Sequence, residues 1–155
     1  MSLPRSPGAQ RGQSLVEFAL ALPVFLLLLF GLLDVGRLVY DYSTLANAAR
    51  SGLRVAIVNQ NSAGIQAKVT AEGVGLGLAA ANVDYVGYKD TGDAKLGTNK
   101  PEDAANCSPI QPGCIAVIKV HYGWSAITPI IGGLVGPINL VNTSEMPVEQ
   151  AFSNP

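Results

Sequence analysis

The chain has 155 residues, of which 48% are apolar and only 14% are charged, a low charge content for a soluble domain. Its formal net charge of -1 offers no electrostatic basis for binding nucleic acid. Two cysteines and one histidine are too few for a metal site of the zinc-finger kind. We therefore expect one domain with an apolar anchor, and no cofactor, metal or small-molecule substrate.

The first predicted element is a transmembrane helix over residues 15–33, which read LVEFALALPVFLLLLFGLL. This is close to the ~20 residues that a helix needs to cross a bilayer core. Glu17, near its start, is the one charge that interrupts the run. Arg5 and Arg11 precede the span without any acidic residue, so the positive-inside rule predicts a cytoplasmic N-terminus and an extracytoplasmic remainder.

A cleaved secretory signal peptide is the alternative reading of this segment. Such peptides have an apolar stretch of about 7–15 residues followed by a small-x-small cleavage site. Here the apolar run is longer, and no good small-x-small site occurs between Phe30 and Tyr40. We therefore favour a retained single-pass anchor over a released protein.

The residues just before the span suggest a different kind of processing. Gly12 is followed by four residues and then by Glu17 and Phe18, where the apolar run begins. This arrangement resembles the processing site of type IV pilin-like proteins, which a membrane aspartic peptidase cuts after the glycine. The resemblance implies cleavage between Gly12 and Gln13, which makes Glu17 the fifth residue of the mature chain. In such filaments this acid pairs with the N-terminal ammonium of a neighbour, and pairing lowers the cost of two charges in an apolar environment.

The wider segment of residues 11–56 resembles the N-terminal signature of the TadE/TadG-like family of tight-adherence (Flp) pilus proteins. The matching pieces, in chain order, are Arg11-Gly12-Gln13, Glu17-Phe18, Pro23, the acid-x-Gly-Arg of residues 34–37, Asn47-Ala48-Ala49-Arg50, Gly52 and Arg54. Residues 125–129 and 144–149 also resemble the end of small TadE-type proteins. The chain is short and lacks the large von Willebrand-type domain of TadG relatives, so TadE is the closer comparison.

The resemblance implies a minor pilin or pseudopilin of a Flp-type IV pilus, which serves adhesion and surface attachment. The chain would be made as a prepilin in the bacterial cytoplasmic membrane and would then enter an extracellular pilus or act in its assembly. The implied partners are the prepilin peptidase, other pilin subunits, Tad/Flp assembly proteins and the lipid bilayer.

Two other functions are kept open by the residues. The first is a membrane-anchored extracytoplasmic protein that binds a partner and never enters a filament. The second is an extracytoplasmic enzyme, but no nucleophile–base–acid set is visible, and His121 lies in an apolar run that favours a structural role. We therefore expect no enzymatic activity.

Beyond the span the pattern becomes amphipathic, and a single helix of about 65 Å over residues 13–58 is predicted. Its apolar stripe comprises Val35, Leu38, Val39, Tyr42, Leu45, Ala46, Ala49, Leu53, Ala56 and Ile57, with Arg37, Asp41, Asn47, Arg50 and Arg54 mostly on other faces. Pro23 removes one backbone hydrogen bond. It is either tolerated by membrane packing or marks a segment that loosens on entering a filament.

The remaining residues 59–155 are predicted to form an extracytoplasmic α+β head, after a cleaved leader of residues 1–12 and the long helix. A second helix is expected over residues 63–81, followed by antiparallel strands over residues 83–88, 115–124 and 138–148. Residues 90–106 are expected to form an exposed, partner-facing loop, and residues 127–137 a connection with an apolar surface. Gly73, Gly75 and Gly77 do not follow a strand as a dinucleotide loop requires, so we attribute them to close helix packing.

Cys107 and Cys114 bracket a six-residue segment, Ser-Pro-Ile-Gln-Pro-Gly. Outside the cytoplasm such a pair is expected to form a disulfide that closes a short loop and stabilises the fold by about 2–3 kcal/mol. The alternative is two unpaired buried thiols.

Overall fold

The computed structural model describes residues 8–90 and 107–149, without the side chains of residues 8–11 and of Tyr85. Its architecture confirms the α+β class: a long N-terminal helix, two shorter helices and a three-stranded antiparallel sheet within the described residues. The predicted loop of residues 90–106 lies, apart from Asp90, outside the described residues.

The long helix α1 spans Gly8–Ala56, which is 49 residues or about 73 Å. It starts several residues before the predicted residue 13 and continues through Pro23 and Gly36 without a break. Residues 18–33 are largely exposed and apolar on all faces. In the part of the chain that the structure describes, α1 is the one helix long and apolar enough to cross a membrane. This is consistent with a single-pass anchor.

The second half of α1 packs on the head. Helix α2 (Ser62–Glu72) lies against it, as does a sheet of β1 (Val83–Lys89), β2 (Ile115–Trp124) and β3 (Ile138–Pro147) in the order β1-β2-β3. The central strand is β2, in which Ile118 is opposite Val86 on one side and Ser144 on the other. The predicted strands are confirmed, with ends that differ by at most one residue.

The core lies between α1, α2 and the inner face of the sheet. Its fully buried members from β2 are Ala116, Ile118 and Val120, each with 0% of its surface exposed. Leu45, Ala48, Ala49, Leu53 and Ala56 of α1 complete it with Ile65 and Val69 of α2. These three β2 residues share one face, as the alternating pattern predicts.

The buried face of α1 differs from the predicted stripe near the membrane end. Asp34 and Asp41 are 3% and 6% exposed, whereas Val35, Val39 and Tyr42 are 57%, 61% and 47% exposed. The prediction for Val35, Val39, Tyr42 and Asp41 was therefore wrong, and no face had been predicted for Asp34. The two acids lie seven residues apart and therefore share a helix face, which is the face the head covers.

Helix α2 ends much earlier than predicted, at Glu72 and not at residue 81. The backbone N–H of Gly73 bonds to the carbonyl of Val69 to finish the helix, and Leu78 then folds back on Gly73, where an added Cβ would clash with it. Gly77 has φ 68°, a left-handed conformation that favours glycine. The predicted close packing therefore accounts for the glycine at position 73 only. Gly77, at the other end of the glycine run, is required by a turn.

The connection between β2 and β3 contains a helix that was not predicted. Helix α3 spans Pro129–Val135, with Thr128 as its N-cap and Pro129 in its first turn. Proline suits this position because its fixed φ is already helical and its missing N–H would have no partner there. Gly132 and Gly133, in the middle of α3, have low helix propensity, so a prediction based on propensity did not find this helix.

Gly52 sets the distance between α1 and the rest of the core. A Cβ at this position would collide with Val69 of α2 and come within 3.0 Å of Ile118 Cδ1 of β2. We expect Gly52→Ala to lower the free energy of unfolding of the head by about 1–3 kcal/mol through overpacking. Thermal unfolding of the detergent-solubilised chain would measure this.

Gly36→Ala is the matched control, since a Cβ at that position of the same helix meets no atom within 4 Å. It should leave stability unchanged or raise it by up to about 1 kcal/mol through helix propensity. Equal effects of the two substitutions would contradict the packing role of Gly52.

Candidate functional site

The predicted processing residues lie together in the first turns of α1. Gly12, Gln13 and Glu17 are all exposed, and Gln13 and Glu17, four residues apart, share one face of the helix. With Val16 and Leu20 they line a shallow depression on the helix surface. Glu17 is thus presented outward, in a position to contact a molecule outside the chain.

The peptide bond between Gly12 and Gln13 lies inside α1, because the helix begins at Gly8. A Cβ at Gly12 would meet no atom within 4 Å. Nothing in the packing of the described residues therefore requires glycine at this position. If glycine is required at position 12, the requirement must arise from contact with another molecule, such as recognition by an enzyme.

Asp34, at the far end of the span, accepts hydrogen bonds from a segment more than 90 residues away. Its carboxylate oxygens accept from the backbone N–H groups of Ile127 and Thr128 at 3.0 and 3.2 Å. The Thr128 hydroxyl bonds to the same carboxylate. The buried acid is thereby satisfied, and it fixes the start of α3 against α1.

Helix α3 lies alongside the end of the span. Ile131 Cδ1 would be 3.4 Å from a Cβ at Gly31, an ordinary van der Waals distance, so the Ile131 side chain packs against α1 at this position. The two helices and the end of the sheet enclose an apolar groove of about 500 Å³, which we call the α3 groove. Its lining includes Leu27, Leu28, Leu32, Leu38, Trp124, Val135 and Ile138.

Two buried polar atoms near this region lack partners among the described residues. They are Oδ2 of Asp41 and Nε1 of Trp124. Asp41 lies two turns beyond Asp34 on the same helix face, and Trp124 ends β2. The sequence pattern had placed Asp41 on a face of α1 away from the head.

The outer face of the sheet carries two ion pairs that cross between strands. Lys89 Nζ lies 2.7 Å from Glu145 Oε1 although Lys89 is only 2% exposed, and His121 Nδ1 lies 2.6 Å from Asp84 Oδ1. Within the described residues, no group of three or more His, Cys, Asp or Glu side chains could hold a metal ion. The His121–Asp84 pair joins β2 to β1, a structural arrangement.

Cys107 and Cys114 lie at disulfide distance, with their Cα atoms 6.0 Å apart. The loop between them is attached to the sheet at both ends. The Cys107 N–H bonds to the carbonyl of Tyr88 at 2.9 Å, and the Val148 N–H bonds to the carbonyl of Cys114 at 2.7 Å. This loop joins the ends of β1 and β3 across the central strand.

Comparison with known proteins identifies the N-terminal segment. Residues 12–54 match the model of the family described as TadE-like protein. The match starts at Gly12 and covers most of α1, so it confirms the predicted resemblance for that segment. Neither the search of curated proteins nor that of solved structures gave a match.

Removing the Asp34 carboxylate should release α3. Asp34→Ala leaves the Ile127 and Thr128 amides without an acceptor, and bonds to a charged acceptor contribute about 1.5–3 kcal/mol. We expect these two amides to exchange hydrogen at least about tenfold faster, which corresponds to ~1.4 kcal/mol. Glu72→Ala is the control, because the exposed Lys68–Glu72 pair should contribute little. Unchanged protection of both amides in Asp34→Ala would contradict the role of Asp34.

Tyr88 should make the head sensitive to alkali. Its hydroxyl donates to the carbonyl of Ala56 at 3.0 Å, and burial raises the pKa of Tyr88 to about 12. Because folding raises this pKa, the contribution of Tyr88 is complete below pH ~10 and is lost as the pH rises toward ~12. Tyr88→Phe should lower the free energy of unfolding by about 1 kcal/mol at pH 7, and this variant should lose less stability than wild type as the pH rises.

Urea unfolding at pH 7 and pH 11 would measure this difference. Tyr40→Phe is the control, since the Tyr40 side chain is exposed, and it should keep the wild-type alkaline loss. If the Tyr88→Phe variant lost as much stability between pH 7 and pH 11 as wild type, groups other than Tyr88 would be responsible for the alkaline loss.

Proposed function

We propose that this chain, whose residues 12–54 are TadE-like, is a minor pilin or pseudopilin of a Flp/Tad-type pilus, acting as a structural component or assembly factor in surface attachment. One observation supports this beyond the family match. An exposed apolar stripe on α1, formed by Leu32, Val35, Val39 and Tyr42, continues past the end of the span. We call it the outer stripe.

The outer stripe is suited to contact with another helix. Its members recur at steps of three and four residues, so they lie on one face of α1. Tyr42 lies nine residues, or about 14 Å, beyond the end of the predicted span, where lipid no longer covers the helix. Val39 and Tyr42 therefore expose apolar surface to water unless a second protein covers it. Packing of α1 helices from several subunits would do so.

Processing by a prepilin peptidase is part of the proposal. The leader of residues 1–12 would be removed, and residues 13–58 would form the mature helix that carries the head of residues 59–155. Because a peptidase binds its substrate in an extended form, the first turns of α1 must unwind. Gly12 lowers the cost of this by about 1 kcal/mol relative to alanine.

The exposed carboxylate of Glu17 fits the role of assembly charge. After cleavage it would be the fifth residue and would pair with the N-terminal ammonium of Gln13 in a neighbouring subunit. Burial of either charge alone among apolar helices is costly, so pairing would fix the register between subunits.

We also propose that the N-terminus is cytoplasmic, that the head and its Cys107–Cys114 disulfide are extracytoplasmic, and that the chain has no enzymatic activity.

Mass spectrometry of the mature N-terminus tests the processing step. In cells with the cognate prepilin peptidase, the wild-type chain should begin at Gln13. Gly12→Ala should retain the leader in nearly all molecules, with almost none beginning at Gln13, because the added methyl is accommodated by the fold but not by the peptidase. Gly36→Ala, the same change in open space further along α1, should be cut as wild type.

A wild-type chain that retains the leader ahead of Gln13 in these cells would contradict the prepilin assignment and favour an anchored partner-binding protein that never enters a filament. Glu17→Ala separates cutting from assembly. This variant should begin at Gln13, as wild type does, but its amount in sheared filaments or in assembly complexes should fall at least about tenfold, as expected for ~1.4 kcal/mol of lost pairing. Equal incorporation of Glu17→Ala and wild type would exclude Glu17 as the assembly charge.

A further inference from the structure

The α3 segment contacts α1 below the end of the predicted span. Gly31, against which Ile131 packs, lies three residues before Asp34. At 1.5 Å per residue this contact is about 5 Å deeper along the helix than Asp34. If residues 15–33 cross the bilayer, then α3 lies within its outer few ångströms.

The exposed surface of this segment is apolar. Ile127, Ile130, Leu134 and Val135 expose 69%, 60%, 86% and 54% of their side chains. Residues 126–138 contain no charged residue. The one hydroxyl among them belongs to Thr128 and bonds to Asp34.

The backbone of the segment is also suited to an environment without water, in which unpaired polar groups are costly. The carboxylate of Asp34 accepts hydrogen bonds from the backbone N–H groups of Ile127 and Thr128, and Pro129 has no N–H group that needs a partner. The N–H groups of Gly132 and Gly136 bond to the carbonyls of Thr128 and Gly132 at 2.8 and 3.0 Å. The connection is therefore hydrogen-bonded at both ends of α3.

From these observations we propose that residues 126–137 are a second membrane contact, inserted into the extracytoplasmic leaflet beside the span. The inference rests on the proposed membrane anchor. The occupant is the hydrocarbon of the leaflet, because α3 is continuous with the apolar surface of residues 27–32 and lies at the same level. An insertion of about 5 Å lies at the shallow end of the 5–10 Å typical of helices in a membrane interface. Asp34 then marks the boundary and holds the inserted segment to α1.

Site-directed spin labelling of the full-length chain, one copy per nanodisc of phosphatidylcholine and phosphatidylglycerol, tests the proposal. Labels are placed on Leu134→Cys in α3, Phe25→Cys in the span and Val74→Cys in the head, all at exposed side chains, so the fold is preserved. The Cys107–Cys114 pair is kept oxidised during labelling. Power-saturation EPR compares access of oxygen, which concentrates in lipid, with access of a water-soluble nickel chelate.

The label at residue 134 should favour oxygen over the nickel chelate at least fivefold relative to the label at residue 74. The label at residue 25 should show a still larger preference. A label at residue 134 as open to the nickel chelate as that at residue 74, with residue 25 in lipid, would overturn the inference and leave the anchor intact. Shielding of residue 134 from both reagents would also overturn it, because protein and not lipid would then cover α3. A label at residue 25 open to the nickel chelate would overturn the anchor itself.

Discussion

The buried carboxylate of Asp34 is the interaction on which the arrangement at the end of the span depends. An unpaired carboxylate is costly to bury, and here two backbone N–H groups and a hydroxyl bond to it. These bonds join α1 to a connection whose own side chains are almost entirely apolar. As a result the β2–β3 connection lies along the helix and does not project away from the head. The α3 groove follows from this arrangement.

The same helix also forms the centre of the head, which ties the two regions together mechanically. Small residues at Ala48, Ala49 and Gly52 let α1 approach both α2 and the sheet closely, and the core is continuous across these contacts. There is no break in α1 between its exposed apolar half and its buried half. A displacement of the span would therefore be transmitted directly to the head, as the proposed transfer of the chain from a membrane to an assembly would require.

Much of this structure could be predicted from local patterns. The helix over residues 15–33, its continuation beyond the span and the strand of residues 115–124 each depend on neighbours in sequence, and each is confirmed as secondary structure. The apolar stripe beyond the span was assigned to the wrong face in part, because α1 has apolar residues on two faces. Periodicity could not show that the head would cover the face with Asp34 and Asp41.

Features that depend on distant contacts were missed. Asp34 is a cap for residues 127 and 128, and nothing near it in sequence indicates that partner. Helix α3 contains two glycines and owes its stability to this cap and to packing on Gly31, not to its own propensity. The proposed roles of Gly12, Gln13 and Glu17, in contrast, could be inferred only by resemblance, because they concern molecules outside the chain.

The central claim is that the outer stripe of α1 contacts other subunits. It is tested most directly by a photocrosslinking amino acid at Val39 in cells that assemble the pilus, with Val74 in the head as an equally exposed apolar control. The account predicts that residue 39 crosslinks to pilus subunits, that residue 74 does so at least about tenfold less, and that the crosslinks disappear when assembly is disabled. An absence of protein crosslinks at residue 39 in assembling cells, or equal yields at both positions, would contradict it.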